Sequence, residues 1–175
     1  RAPDELLARA AEYADAPPRL AGVDICGLIH ERLSYERGST GVNSTAREVW
    51  ELGRGVCQDF SHVALGALRS IGLPARYVSG YFHPRPGEAN HTVTGESHSW
   101  VEWWCGSWVA YDPTRCRRLT DGYVRIGQGR DYGDVAPLRG TYAGGSSARG
   151  PRTWRPAAPG AAHGGGARAR RRRSR

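Results

Sequence analysis

The chain contains no lysine: all 25 basic residues among its 175 are arginine, which we read as a mark of GC-rich coding. Its four cysteines, at 26, 57, 105 and 116, form no C-x-x-C pair, so neither a zinc ribbon nor a dithiol redox motif is indicated. A chain of this length can build an ordinary core, so a disulfide scaffold is not expected either. No apolar run approaches 18 residues, and nothing in it is expected to span a membrane. A signal-peptide pattern is also missing, which sets a cytoplasmic location as the expectation. The last stretch lacks acid altogether: residues 145–175 hold nine arginines and no Asp or Glu. They account for the net charge of +8, because residues 1–144 carry sixteen basic against seventeen acidic side chains. The part that can fold is therefore close to neutral and has no nucleic-acid footprint. The tail, mostly Gly, Ala, Pro, Ser and Arg, cannot bury enough apolar surface to offset its ordering entropy and is expected to be disordered.

What is present reads as helices first and strands second. Pro3 to Ala11 opens with proline and acids, as a short helix does, and Pro17-Pro18 is expected to end it. Ile25, Leu28, Ile29 and Leu33 recur at helical spacing, predicting an amphipathic helix that closes near Tyr35. Thr45-x-x-Glu48 is a capping box for a third helix ended by Gly53. Phe60, Ala64, Ala67, Leu68 and Ile71 define a fourth, beginning at Cys57 and stopped by Gly72 and Pro74. Beyond Pro74 the period becomes two. Ala75–Phe82, His98–Cys105, Trp108–Asp112 and Tyr123–Ile126 are rich in strand formers, with a loop from Pro84 to Glu96. Helices followed by antiparallel strands predict an α+β domain.

The fourth helix places Cys57 in its first turn. Unpaired N–H groups and the macrodipole there favour negative charge. A thiol so placed has a lowered pKa and is more often the nucleophilic thiolate. A free cysteine is most often a buried structural residue, so a chemical role requires a base and an orienting acid elsewhere. Of six histidines, His163 falls in the tail, and His62 lies about 140° round the helix from Cys57. His30, His83 and His91 read as surface or satisfied core residues. His98, opening a strand, is the candidate base, and Asp112, closing the next strand, the candidate orienter.

Register tests the pair. His98 and Asp112 share a face only if paired residue numbers sum to an even value. A two-residue turn at Gly106-Ser107 would put them on opposite faces. We therefore predict a three-residue loop, 105–107, pairing Trp104 with Trp108, or an equivalent bulge. Trp100 then stands opposite Asp112, with His98 diagonal to it and Val101 and Trp103 pointing away. Trp100 becomes a candidate wall of the site and substrate contact.

Four stretches carry a resemblance: Gly55-Val56-Cys57-Gln58-Asp59-Phe60-Ser61-His62, Gly72 to Tyr81, His98-Ser99-Trp100-Val101-Glu102, and Tyr111-Asp112-Pro113-Thr114. Together with Gly129 to Gly140 they resemble the bacterial transglutaminase-like superfamily, over about Leu20 to Gly144. The resemblance implies a papain-like α+β fold, a Cys57–His98–Asp112 triad and thioester chemistry on a peptide or carboxamide substrate, as a protease, an amidase or a protein-glutamine transferase. It implies no cofactor, no metal and no nucleic-acid partner. Residues 1–19 become a helical lead-in, 20–144 the catalytic domain and 145–175 a tail. Arg115 stands where the family tends to have asparagine. Two alternatives stay open on the residues alone: a non-catalytic binding module that keeps the fold, and a metal site from Cys57, His62 and His98.

Overall fold

A computed structural model describes residues 2–83 and 97–136. The loop expected at 84–96, His91, His163 and the basic tail lie outside the described residues. Four helices come first: α1 (Asp4–Ala11), α2 (Pro18–Arg32), α3 (Ala46–Leu52) and α4 (Cys57–Ser70). Two short strands, β1 (Ser34–Tyr35) and β2 (Arg54–Gly55), pair in parallel between them. The main sheet holds β3 (Ala75–Phe82), β4 (Ser97–Trp104), β5 (Trp108–Asp112), β6 (Arg117–Arg118) and β7 (Tyr123–Gly129), followed by a single-turn α5 (Tyr132–Val135). Its order is β6-β5-β4-β3-β7, antiparallel throughout. This is the mixed helix-and-antiparallel-sheet architecture expected.

Helices and sheet meet through one apolar core. Leu6, Ile25, Ile29, Val49, Phe60, Val63 and Leu68 pack against Tyr77, Val101, Trp103, Val109 and Tyr111 of the sheet. Ala64 and Ala67 are fully buried; these small residues let α4 lie close to the strands. The capping box forms as predicted: the Thr45 hydroxyl accepts from the Glu48 N–H while the Glu48 carboxylate accepts from the Thr45 N–H at 2.7 Å. Gly53 closes α3 at φ 69°, a left-handed conformation that a Cβ resists.

Two expectations are corrected. Pro17-Pro18 starts α2 rather than merely ending α1: with Pro17 as the cap, Pro18 sits in the first helical turn, where its missing N–H costs nothing. That helix stops at Arg32 rather than near Tyr35, because residues 34–36 are drawn off into the β1–β2 pairing. The Ser34 and Glu36 N–H groups donate to the Gly53 and Gly55 carbonyls, both at 2.9 Å. This bridge clamps the backbone immediately before the turn that opens α4.

Gly22 on α2 is a sensitive packing point. A Cβ there would overlap the indole of Trp103, which is fully buried and donates its Nε1–H to the Pro18 carbonyl at 3.1 Å. Helix propensity favours alanine over glycine by about 1 kcal/mol, but overpacking a rigid indole costs more. Gly22→Ala is expected to lower unfolding free energy by about 2 kcal/mol net. A denaturation midpoint equal to or above that of the parent chain would contradict this reading of the contact.

Candidate active site

The site grows out of the turn before α4. Gly55 lets the Asp59 carboxylate approach the chain, since a Cβ at 55 would sit 2.7 Å from Asp59 Oδ2. That oxygen accepts from the Val56 N–H at 2.7 Å and from the Thr40 hydroxyl at 2.5 Å. A carboxylate in the first helical turn also complements the macrodipole. Gln58 donates to the Val42 carbonyl at 3.0 Å, tying the 38–44 loop to the same turn. Cys57 is thereby held as the first residue of α4, partly buried. Its own N–H comes before the first acceptor the helix can offer.

The β4–β5 hairpin adopts the predicted register. Trp104 pairs with Trp108, Glu102 with Ala110 and Val101 with Tyr111, with Gly106 at φ 89° in the three-residue loop. Asp112 consequently stands diagonal to His98 on one face, and His98 Nε2 lies 2.7 Å from Asp112 Oδ2. The other imidazole nitrogen, Nδ1, is left for Cys57, whose thiol is drawn below its ordinary value by the neighbouring His98. Of the three residues that the sequence singles out, His98 of β4 and Asp112 of β5 are in direct contact, and Cys57 opens α4 beside them.

Asp112 is fully buried, and no buried carboxylate is stable without donors. Oδ1 accepts from the Thr114 and Arg115 N–H groups at 2.9 and 3.2 Å. Oδ2 accepts from the Tyr123 hydroxyl at 2.7 Å and from Arg115 Nη1 at 3.3 Å, besides His98. Arg115 Nη1 also lies 2.9 Å from His98 Nε2. One nitrogen cannot donate to Asp112 and accept from Arg115 at once; the Asp112 geometry assigns the proton to Nε2, so the guanidinium serves the carboxylate. It rests over the Phe82 ring at 4.1 Å. Thus Arg115 anchors the acid.

The electrostatics follow from these contacts. Burial pushes the Cys57 thiol up, but His98 and the Ser99 hydroxyl and N–H outweigh it and bring the thiol below its ordinary value. Burial pushes His98 down, and Asp112 and Cys57 more than reverse this, raising it to about 8. For Asp112, burial raises the carboxyl while His98, Tyr123 and Arg115 hold it low. Two neighbours displaced toward each other favour proton transfer from thiol to imidazole, the condition for a thiolate–imidazolium pair.

Other candidates fall elsewhere. His62 packs on Tyr77 with ring centroids 5.2 Å apart and accepts from the Tyr132 N–H at 3.2 Å, away from Cys57 and His98. Among the described residues no group of three or more His, Cys, Asp and Glu side chains is arranged to hold a metal. His30 accepts or donates at the Thr114 carbonyl, 3.1 Å away, and His83 is buried. Trp100 shares the His98 face, its ring centroid 6.4 Å from the imidazole and 5.5 Å from Tyr123. It is 1% exposed, so it lines the inner side of the His98–Asp112 pair and offers little outward surface. Tyr123, Ser99, Ser61 and Tyr77 carry no signal in the sequence pattern that would have placed them at the site.

Helices that come first and pack on an antiparallel five-stranded sheet define an α+β fold of the papain-like kind. The family model described as the transglutaminase-like superfamily matches residues 7–113, and the chain belongs to that superfamily. An uncharacterised protein of Mycobacterium leprae is 48% identical over 128 residues, covering 73% of this chain and 46% of that protein. A protein-glutamine gamma-glutamyltransferase of Pseudomonas aeruginosa is 30% identical over 95 residues, covering 49% of this chain and 14% of that protein. Among solved structures, a candidate cysteine protease from Cytophaga hutchinsonii aligns with TM-score 0.63 and 29% identity, over 76% of this chain and 44% of that one. Legionella pneumophila LapG, at TM-score 0.56 and 13% identity over 75% of each chain, shares the fold. The chain thus spans less than half the length of the mycobacterial relative.

Proposed function

We infer that this chain is a cysteine enzyme that transfers the acyl group of a peptide or carboxamide through a thioester on Cys57. The observation that carries the reading is the 2.7 Å bond from His98 Nε2 to a fully buried carboxylate, beside a first-turn thiol that His98 helps to lower. Cys57 thiolate attacks the carbonyl carbon, and the Cys57 N–H, which has no acceptor within the helix, serves as one donor to the oxyanion that forms. The His98 imidazolium gives its Nδ1 proton to the departing nitrogen, the C–N bond breaks, and an amine leaves. Neutral His98 then takes a proton from water, or from an amine, as that nucleophile attacks the thioester. The acyl group departs as an acid or a new amide, and the thiolate–imidazolium pair is restored. Asp112 holds the ring in the Nε2–H tautomer and offsets its charge, and Trp100 keeps water from that hydrogen bond.

Hydrolysis is the reading we favour, on the likeness to the Cytophaga protein at 29% identity and the absence of a recognisable acceptor-lysine site. The Pseudomonas transferase supports the second reading, resolution by an amine. The test uses p-nitrophenyl acetate as an acyl donor. A burst of one p-nitrophenolate per chain, with acetyl on Cys57 in the peptide map, is expected. Added glycine methyl ester leaves the rate of deacylation unchanged in a hydrolase and raises it in a transferase. No burst, with the fold intact, would favour a binding module that retains the fold.

The pH profile follows from His98. Its imidazolium is the proton donor, so second-order acylation of an amide substrate is expected to fall as pH rises through about 8. The stability term has the same sign: a folded pKa raised above the ordinary value stabilises fully below about 6.5, and that contribution is lost on passing about 8. A rate still rising above pH 9 would contradict the role of His98.

A further inference from the structure

The sheet edge beside the His98–Asp112 pair carries a charge that the mechanism above does not use. β6 is the edge strand, and its Arg117 pairs with Asp112 of β5. Directly opposed residues share a face, so the Arg117 side chain leaves the sheet on the same side as Asp112 and His98. Its Nε–H donates to the Tyr123 hydroxyl at 3.3 Å, and that hydroxyl in turn donates to Asp112 at 2.7 Å. Arg117 is exposed, and among the described residues none of its N–H groups is spent on a carboxylate.

Two rings form a shelf for this guanidinium. Phe82 and Tyr123 lie with centroids 4.8 Å apart, and they stand 6.1 and 5.9 Å from the imidazole of His98. Arg117 sits 5.2 Å from the Phe82 centroid and 5.9 Å from that of Tyr123. Arg115 lies over the same Phe82 ring at 4.1 Å. Two guanidinia thus gather on one ring. Asp112, the carboxylate paired with Arg115, is fully buried and also accepts from His98. Stacking holds a guanidinium in place without neutralising it. Arg117 therefore keeps its charge, and keeps donors in the planar fork that fits a carboxylate.

We propose that Arg117, steadied by Phe82 and Tyr123, is a specificity-determining residue that binds a carboxylate on the leaving-group side of the substrate. The substrate class is a peptide with Asp or Glu just beyond the bond that breaks. The proposal rests on the thioester reading of Cys57 and His98. The side follows from proton transfer: the imidazolium gives its proton to the departing nitrogen, so the leaving segment lies toward His98. The reach follows from the shelf. Imidazole and Phe82 centroids are 6.1 Å apart, about two residues of extended chain at about 3.3–3.6 Å each. The acid therefore stands at the first or second residue after that bond. An anion there also relieves the repulsion between Arg115 and Arg117. An edge-strand arginine can serve merely to keep other strands away. Such a role needs no contact with the rings beside the imidazole, and Arg117 has two.

The experiment compares two acetyl donors on the full chain, 4-acetoxybenzoate and its methyl ester, by the rate of Cys57 acetylation in the peptide map. Both release a phenol, and the first carries a carboxylate one benzene ring beyond the bond that breaks. Dividing by the same rate ratio for free cysteine removes their intrinsic difference. The parent chain is expected to favour the carboxylate donor, and Arg117→Gln to lower that preference about fivefold. Arg117→Lys, which keeps the charge, is expected to retain most of it. Raising salt from about 0.02 to 0.5 M is expected to remove most of it in the parent. A preference in Arg117→Gln equal to the parent's overturns the proposal, as does a lysine variant no better than the glutamine one. If the glutamine variant does not fold, a parent preference that salt leaves unchanged overturns it instead. A parent that neither donor acetylates defeats the thioester reading and the subsite with it; one acetylated by both without preference defeats the subsite alone.

Discussion

Replacing Asp112 with asparagine is expected to lower turnover by about 10⁴-fold, the scale on which a triad loses rate when its imidazole is held in the wrong tautomer. The size follows from the surroundings. Asp112 Oδ2 receives hydrogens from His98 Nε2, Tyr123 and Arg115, and Oδ1 from two backbone N–H groups. An asparagine can keep its oxygen on only one of these sides. With the oxygen on Thr114 and Arg115, its NH₂ meets three donors, and His98 must turn its unprotonated Nε2 toward it. Nδ1–H then faces Cys57 and cannot take the thiol proton. The same mismatch strands Tyr123 and Arg115, so the variant is also expected to lose about 2–4 kcal/mol of stability. Turnover in the folded fraction, with its pH profile, separates the two effects. An unchanged rate per folded molecule would remove Asp112 from the mechanism.

Cys57→Ala is expected to abolish turnover and the p-nitrophenolate burst, because the other nucleophile in the first turn of α4, the Asp59 carboxylate, is buried and held by the Val56 N–H and the Thr40 hydroxyl. Stability is expected to move by no more than about 1–2 kcal/mol. The thiol is partly buried and contributes little packing, while Ser99 and His98 each lose one acceptor or donor. Cys57→Ser should be nearly as inactive, since a hydroxyl is not ionised by a neighbour that titrates near 8. The check is intact mass after incubation with p-nitrophenyl acetate, alongside the melting temperature. Acetylation of the alanine variant at the parent rate would relocate the nucleophile.

Much of the fold was legible because it is encoded locally. The α4 start at Cys57, the Thr45–Glu48 box and the Gly53 and Gly72 stops are each written within a few residues of one another. The Trp104–Trp108 register could be deduced because pleat parity excludes a two-residue turn if His98 and Asp112 are to share a face, and a three-residue loop is the shortest common alternative. What the pattern missed is contributed from a distance. Tyr123 reaches Asp112 from β7, which pairs with β3 on the far side of β4, and no spacing rule forecasts that strand order. The β1–β2 bridge, which shortens α2, joins segments twenty residues apart. Ser61 and Ser99 read as ordinary polar positions until helix and strand are brought together. Arg115 was visible as an unusual residue, yet its place on Phe82 beside the acid depends on the turn after β5.

The central claim is that Cys57 is a thiolate held by His98, and it is tested most directly by the alkylation rate of all four cysteines as a function of pH. Cys57 is expected to react with a midpoint well below the ordinary thiol value of about 8.5. Cys26, fully buried and with its thiol pushed up by that burial, should stay inert in the folded chain. Cys57 titrating with the ordinary midpoint, or failing to react at all, would contradict the account.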